Sequence, residues 1–290
     1  MKRILITGAN SYIGTSFESY IKQWPEKYQV DTVDMIDGSW REKSFAGYDA
    51  VFHVAGIAHS DSERISEGQR ALYYKVNTDL TIEAAEKAKS DRARQFIFMS
   101  SIIVYGDSAP IGKKKIITKD TLPVPVNCYG ESKLQAENGI LPLQDDTFNI
   151  VILRPPMIYG KGCKGNYLTL AKLARKLPAF PNVKNQRSML YIENLTEFVR
   201  LIIENDESGL FWPQNAEYSN TSLLVKDIAV AHKKRVRLFC GFMPALKLAS
   251  CFTKKVDKAF GSLTYDESMS IYKPDYRIYS LSDSIVRTVE

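Results

Sequence analysis

Short apolar runs rich in β-branched residues recur along this chain, separated by longer stretches whose apolar positions fall three and four apart. The runs at 3–7, 29–34, 50–54, 95–100, 149–154 and 209–212 have the length and make-up of strands. Helical spacing falls near 13–22, 73–90, 129–140, 165–176, 193–205 and 223–234. Strands alternating with helices predict a parallel sheet covered on both faces, an α/β fold. Right-handed crossovers make such a sheet doubly wound and put its ligand at the carboxyl ends of the strands.

Candidate chemistry gathers at those ends. The first strand runs into Gly8-Ala9-Asn10-Ser11-Tyr12-Ile13-Gly14 and then a helix. A glycine turn there lets backbone amides approach a pyrophosphate, and the helix start adds partial positive charge. Gly14 would let the helix pack close to the strand. Asp34 stands twenty positions beyond Gly14, at the end of the second strand. An acid so placed accepts hydrogen bonds from ribose hydroxyls and repels a 2′-phosphate, which favours NAD without excluding NADP.

Tyr129 and Lys133 stand four apart on a helical stretch and so share a face. A lysine ammonium beside a phenol favours phenolate and draws the pKa down from about 10. Such a tyrosine can take and return a proton on a sugar or alcohol oxygen. Ser101, after the fourth strand, would hydrogen-bond the same oxygen, with hydride passing between the adjacent carbon and a nicotinamide. The tyrosine–lysine spacing alone is a weak signal; the glycine turn upstream supplies its context.

With these residues in this order, the chain resembles an extended short-chain dehydrogenase/reductase of the nucleotide-sugar epimerase, dehydratase and reductase group. Thr7, Gly8 and Gly14 match the signature Thr-Gly-x-x-Gly-x-x-Gly, with Ser11 at the middle glycine. Val51-Phe52-His53-Val54-Ala55-Gly56, Tyr74-Lys75-Val76-Asn77-Thr78 and Leu153-Arg154-Pro155-Pro156-Met157-Ile158-Tyr159-Gly160 match further segments in family order. Ser101 stands four before Tyr105, as the family's active-site serine or threonine does.

The resemblance implies Ser101, Tyr129 and Lys133 as catalytic residues. It implies a dinucleotide site of Gly8, Asn10, Ser11, Tyr12, Ile13, Gly14, Asp34, Ala55, Gly56, Asn77, Ser100, Tyr129, Lys133, Pro156 and Met157. For the substrate, a UDP-sugar, it implies Ser101, Lys164, Asn166 and Arg187, the arginine being suited to a diphosphate. It further implies a Rossmann-type domain of 1–156 with 189–215, a smaller and mostly helical substrate domain of 157–188 with 216–290, and a homodimer formed through helices near 76–90 and 129–141.

Departures from the family pattern narrow the chemistry. The family's dehydratases place Asp-Glu directly after the active-site threonine, whereas Ile102 and Ile103 follow Ser101. Dehydration is therefore not expected. A UDP-sugar 4-epimerase is the first expectation, on a UDP-hexose or UDP-N-acetylhexosamine by transient oxidation at C4. A UDP-4-keto-6-deoxy-hexosamine 4-reductase is the second, since Met157 stands where many epimerases carry asparagine. A dinucleotide-binding sensor or scaffold without catalysis is the alternative of another class, opposed by the intact serine, tyrosine and lysine.

Composition changes little until the last third. The 290 residues are 44% hydrophobic, with no run of the roughly 18 apolar residues a membrane span needs. The chain opens on a strand, so no signal peptide is expected and a cytoplasmic enzyme is. Cys128, Cys163, Cys240 and Cys251 form no Cys-x-x-Cys pair, and with only three histidines no metal site is expected. The net charge is +6, yet 232–258 alone holds eight lysines and arginines against Asp257, among apolar residues. That stretch reads as helical core with outward lysines, or as a weak contact with an anionic membrane surface or a place to receive an anionic glycan precursor; it carries no nucleic-acid motif. The long loop 107–126 reads as a lid.

Overall fold

The structure is a computed structural model that describes residues 1–57 and 66–289. The chain divides into two compact units. Met1–Gly106, Leu122–Pro155 and Thr196–Trp212 form the first, and Asp107–Thr121, Pro156–Leu195 and Pro213–Glu290 the second.

The first unit is built on a six-stranded sheet in the order Gly209–Phe211, Asn149–Leu153, Gln95–Met99, Ala50–His53, Lys2–Thr7, Tyr28–Val33. Every adjacent pair is parallel. The expected α/β, doubly wound class is thus the observed one. Alternation along each strand serves two covered faces. Leu5, Val51, Phe96, Phe98, Ile150 and Ile152 pack with Ala84, Ala85, Ala88, Ala136 and Ile140 of the helices on one side. On the other, Phe52 meets Phe17 of helix Tyr12–Ile21 edge to face, ring centres 5.2 Å apart. From Lys2–Thr7 the chain adds its next strand on one side and Ala50–His53 on the other. That is the topological switch point, where the carboxyl ends open a crevice.

One helix differs from its sequence reading. The stretch expected at 73–90 begins at Glu67 and is interrupted by a π-turn, Lys75–Asp79, before continuing as Leu80–Ser90. Ser66 caps its start through the Gln69 amide, a reciprocal capping box. Buried Asn77 lies within the wide turn, where its amide bonds to Ile57 instead of facing solvent. Such bulges commonly mark functional positions.

The second unit has no large sheet among its described residues. It carries three parallel two-stranded ladders: Met157–Tyr159 with Met189–Tyr191, Ala179–Pro181 with Arg237–Phe239, and Ile116–Ile117 with Thr264–Tyr265. Helices Asn166–Lys176, Thr221–Ala231, Met243–Ser250, Lys254–Phe260 and Leu281–Arg287 complete it. Much of its interior is polar and paired. Ser188 bonds Gln214, whose amide donates to Ser270, and the Asn215 amide donates to the Tyr159 hydroxyl at 2.9 Å. The segment 107–121 is stitched in by backbone bonds to 262–266 and by the Asp257 carboxylate, which accepts the Ile111 amide at 2.8 Å.

Candidate active site

Gly8 follows the first strand with φ +98°, a conformation that favours glycine. A Cβ there would lie 2.8 Å from the Ala55 nitrogen, so the turns after the first and third strands touch through bare backbone. Asn10 is left-handed at φ 64°. Ser11, at the family's middle glycine, is the N-cap of helix Tyr12–Ile21: its hydroxyl accepts the Gly14 amide at 3.1 Å. A Cβ on Gly14 would come within 2.7 Å of that hydroxyl and 3.1 Å of Ile6, so the helix does lie close to the strand. Tyr12 and Ile13 open the helix, which begins just past the carboxyl end of the first strand. Asp34 is the first residue past the second strand; its exposed carboxylate accepts the Ile36 amide at 2.8 Å.

The turn after the third strand is equally tight. A Cβ on Gly56 would lie 3.0 Å from Asn77 Oδ1 and 3.3 Å from Lys133 Nζ. Asn77 Oδ1 accepts the Ile57 amide at 2.8 Å, while its Nδ2 donates to Ser132 Oγ and the Ile57 carbonyl at 3.2 Å. Ala55, Gly56, Asn77 and Lys133 therefore form one cluster beside the Gly8 turn. Bare backbone, a capped helix start and a ribose-ready acid suit a dinucleotide.

Helix Cys128–Ile140 carries the tyrosine–lysine pair. Asn127 caps it through the Gly130 amide at 2.9 Å. A Cβ on Gly130 would meet the Ile103 carbonyl at 3.0 Å, which presses the helix start against the turn after the fourth strand. Ser101 is the N-cap of that turn, Ile102–Tyr105, and its hydroxyl is a hydrogen-bond neighbour of the Tyr129 phenol. The Tyr129 ring lies 6.1 Å from that of Tyr73. Lys133 Nζ donates to the Met99 carbonyl at 2.9 Å and sits 4.6 Å from the centre of the Phe98 ring.

The electrostatics differ from the expectation of an acidified phenol. Burial pushes Tyr129 up to about 12, against the opposing hydrogen bond from Ser101. Burial also pulls Lys133 down to about 8, although the Glu137 charge raises it. In the protein alone, desolvation of the phenolate outweighs any pull from the ammonium.

Beneath the pair lies a network of which the sequence singled out only Ser100, and that as a dinucleotide-site residue. Glu137, one turn beyond Lys133, accepts from Ser100 Oγ and from Arg154, whose Nη2 reaches it at 2.5 Å. Arg154 Nη1 donates to the Tyr105 hydroxyl at 2.6 Å, and Trp212 Nε1 to the same oxygen at 2.8 Å. Glu137 is 1% exposed and Arg154 7%. Burial favours the neutral guanidinium, but Glu137 and Tyr105 hold its pKa above the usual value. His53 is also buried, bridging Thr7 at 2.7 Å and Thr81 at 3.0 Å; burial and then the Lys133 charge lower it to about 3. An acid four positions after Lys133, and an arginine closing an apolar strand, were the available signals.

The remaining expected residues belong to the second unit. Pro156 is buried, and Met157 opens the Met157–Tyr159 strand. Lys164 is exposed in a loop whose Gly162 and Gly165 have positive φ, and Asn166 begins the next helix. Arg187 donates through Nη1 to the carbonyls of Lys258 at 2.7 Å and Gly261 at 3.3 Å. Burial lowers its pKa, and it makes no ion pair with a described carboxylate. The described residues contain no cluster of three or more metal-ligating side chains, and no helix among them is long and apolar enough to cross a membrane.

A parallel sheet with a glycine turn at its switch point, and a serine, tyrosine and lysine at neighbouring strand ends, defines an extended short-chain dehydrogenase/reductase. The family model of the NAD dependent epimerase/dehydratase family matches residues 4–211, and the chain belongs to that family. Among curated relatives, a UDP-glucose 4-epimerase of Vibrio cholerae is 29% identical over 254 residues, 80% of this chain and 76% of that protein. An N-acetyl-α-D-glucosaminyl-diphospho-ditrans,octacis-undecaprenol 4-epimerase of Escherichia coli O157:H7 is 27% identical over 225 residues, covering 71% of this chain and 64% of that protein. Of solved structures, the UDP-glucuronic acid 4-epimerase of Bacillus cereus in complex with NAD has a TM-score of 0.74 at 18% identity, covering 99% and 97% of the two chains. The dTDP-4-dehydrorhamnose reductase of Bacillus anthracis in complex with NADP has the same TM-score and identity, covering 99% and 98%. These two share the fold, one with NAD and one with NADP. The family is NAD(P)-dependent.

Proposed function

We propose that this chain is an NAD-dependent UDP-sugar 4-epimerase acting on a UDP-hexose or UDP-N-acetylhexosamine. The reading is carried by one observation: Ser101, Tyr129 and Lys133 gather at the carboxyl ends of the central strands, with Ile102 and Ile103 in place of the acids a dehydration needs. The 4-epimerase names of the relatives in Vibrio and Escherichia support it.

Gly8, Asn10, Ser11, Gly14, Ala55, Gly56 and Asn77 would hold the dinucleotide, with Asp34 at its adenosine ribose and Lys133 at the other. Bound NAD would supply a hydride acceptor for the sugar's C4 and, once reduced, a donor to the opposite face. Ser101 hydrogen-bonds the C4 oxygen. Tyr129 takes the hydroxyl proton as the C–H bond breaks and returns it when the C–H bond re-forms, so no net oxidation occurs. Arg187, half-buried and without a carboxylate partner among the described residues, offers its guanidinium to the diphosphate, aided by Lys164 and Asn166. A homodimer in the cytoplasm completes the proposal.

A 4-keto-sugar reductase is the second reading, favoured by Met157. Incubation with UDP-glucose and with UDP-N-acetylglucosamine, without added cofactor, tests the pair by NMR of the sugar. Inversion at C4 without added NAD(P)H supports the epimerase. Consumption of NAD(P)H in step with reduction of a UDP-4-keto sugar supports the reductase. Absence of both leaves a binding protein.

A further inference from the structure

Helix Met243–Ser250 has no buried residue, although its sequence is Met-Pro-Ala-Leu-Lys-Leu-Ala-Ser. Pro244, Leu248 and Phe252 follow one another at four-residue spacing and are all exposed, Leu248 at 64% and Phe252 at 83%. Ala245 and Cys251 widen the ridge, and Phe242 at its head is 50% exposed. An apolar stripe on a surface helix ordinarily faces a core. This one faces outward, so ordinary packing does not account for it.

Charge surrounds the stripe. Lys247 lies on the same helix, and Lys254 and Lys255 open the next one, all exposed. Lys233, Lys234, Arg235 and Arg237 precede it, also exposed. None of these seven cations forms an ion pair with a described residue. Asp257, the lone acid of 232–258, turns its carboxylate to the Ile111 amide. The positive field is felt locally: after burial, Arg175 and Lys234 are what lower the His232 pKa.

Exposed apolar residues within a cationic field match an anionic phospholipid surface, where apolar side chains enter the headgroup boundary and lysines meet phosphates. A second copy of the chain would bring like charge against like charge. Nucleic acid would use the lysines but not Leu248 and Phe252.

We propose that the face formed by Phe242, Lys247, Leu248, Phe252, Lys254 and Lys255 docks this protein peripherally on an anionic bilayer. The test is co-sedimentation of the full chain with vesicles of phosphatidylcholine alone and of phosphatidylcholine mixed with phosphatidylglycerol. Partition to the mixed vesicles is expected to be at least about tenfold stronger and to weaken at high salt. Leu248→Glu with Phe252→Glu, and separately Lys254→Glu with Lys255→Glu, are each expected to reduce it about tenfold while leaving the melting temperature unchanged. In Phe252→Trp, indole emission is expected to shift to the blue with mixed vesicles only. Equal partition to the two vesicle types, or none, would overturn the proposal. So would RNA binding without vesicle binding, or a dimer dispersed by Phe252→Glu with no vesicle binding; those results assign the face to nucleic acid or to a second copy.

Discussion

Each of the two units has an interior of its own chemistry. In the first, central strand residues such as Leu5, Val51, Phe96 and Ile150 are fully buried, and the sheet needs only their alternation to be specified. In the second, buried Asn185, Ser188, Asn194, Gln214, Asn215 and Ser270 bond one another, tyrosine hydroxyls and backbone groups. Apolar packing tolerates rearrangement by degrees, whereas a buried polar group without its partner carries its whole desolvation cost. The sheet unit carries deep polar networks too, and that of Glu137 and Arg154 lies beside Tyr129 and Lys133.

Arg154→Met strikes that network. It leaves the Glu137 carboxylate buried without its counter-ion, and urea unfolding is expected to show a loss of about 4 kcal/mol. Next in size is Tyr129→Phe, which removes one hydroxyl: turnover should fall at least about a hundredfold while NADH fluorescence titration and melting temperature stay near wild type. Turnover within a few-fold of wild type would remove Tyr129 from acid–base work. In the second unit, Asn215→Leu takes the acceptor from the buried Tyr191 amide and leaves the Tyr159 hydroxyl with Ser284 alone, a cost of about 2 kcal/mol by the same unfolding measurement. A loss of only a few tenths would mean that the polar interior there is slack.

A smaller effect sharpens the role of charge. Lys133 falls to about 8 in the folded protein from a usual 10.5. On the proposed reading its ammonium donates to a ribose, so NADH affinity is expected to hold below pH 8 and then to fall as the ammonium is lost. Because Glu137 raises Lys133, Glu137→Gln should move that limb to lower pH; an unmoved limb would break the coupling. Stability runs the other way. Between the two pKa values the unfolded chain binds more protons, so this group's share of the unfolding free energy rises with pH.

Much of the sheet was legible because its signal is local. The run at 3–7 is the strand Lys2–Thr7, and 149–154 is Asn149–Leu153, each displaced by a residue at most. The ladders of the second unit were not, since two or three residues such as Ile116–Ile117 carry no period to read. The Ser101–Tyr129–Lys133 cluster could be anticipated from spacing and family order. Its foundation could not: Glu137 and Arg154 meet across 17 positions, and one belongs to a helix pattern, the other to a strand. The charge state of Tyr129 also escaped the spacing argument, because burial depends on everything packed around the ring.

Ser11 gives the smallest and simplest test. Ser11→Ala should cost about 1 kcal/mol as helix Tyr12–Ile21 loses its cap. The hydroxyl that stands in for the family's middle glycine closes this turn from within, by accepting the Gly14 amide. That bond spans only three residues, so it can form before any nucleotide arrives. Heat stability gained on adding dinucleotide would accordingly owe nothing to the capping of this helix.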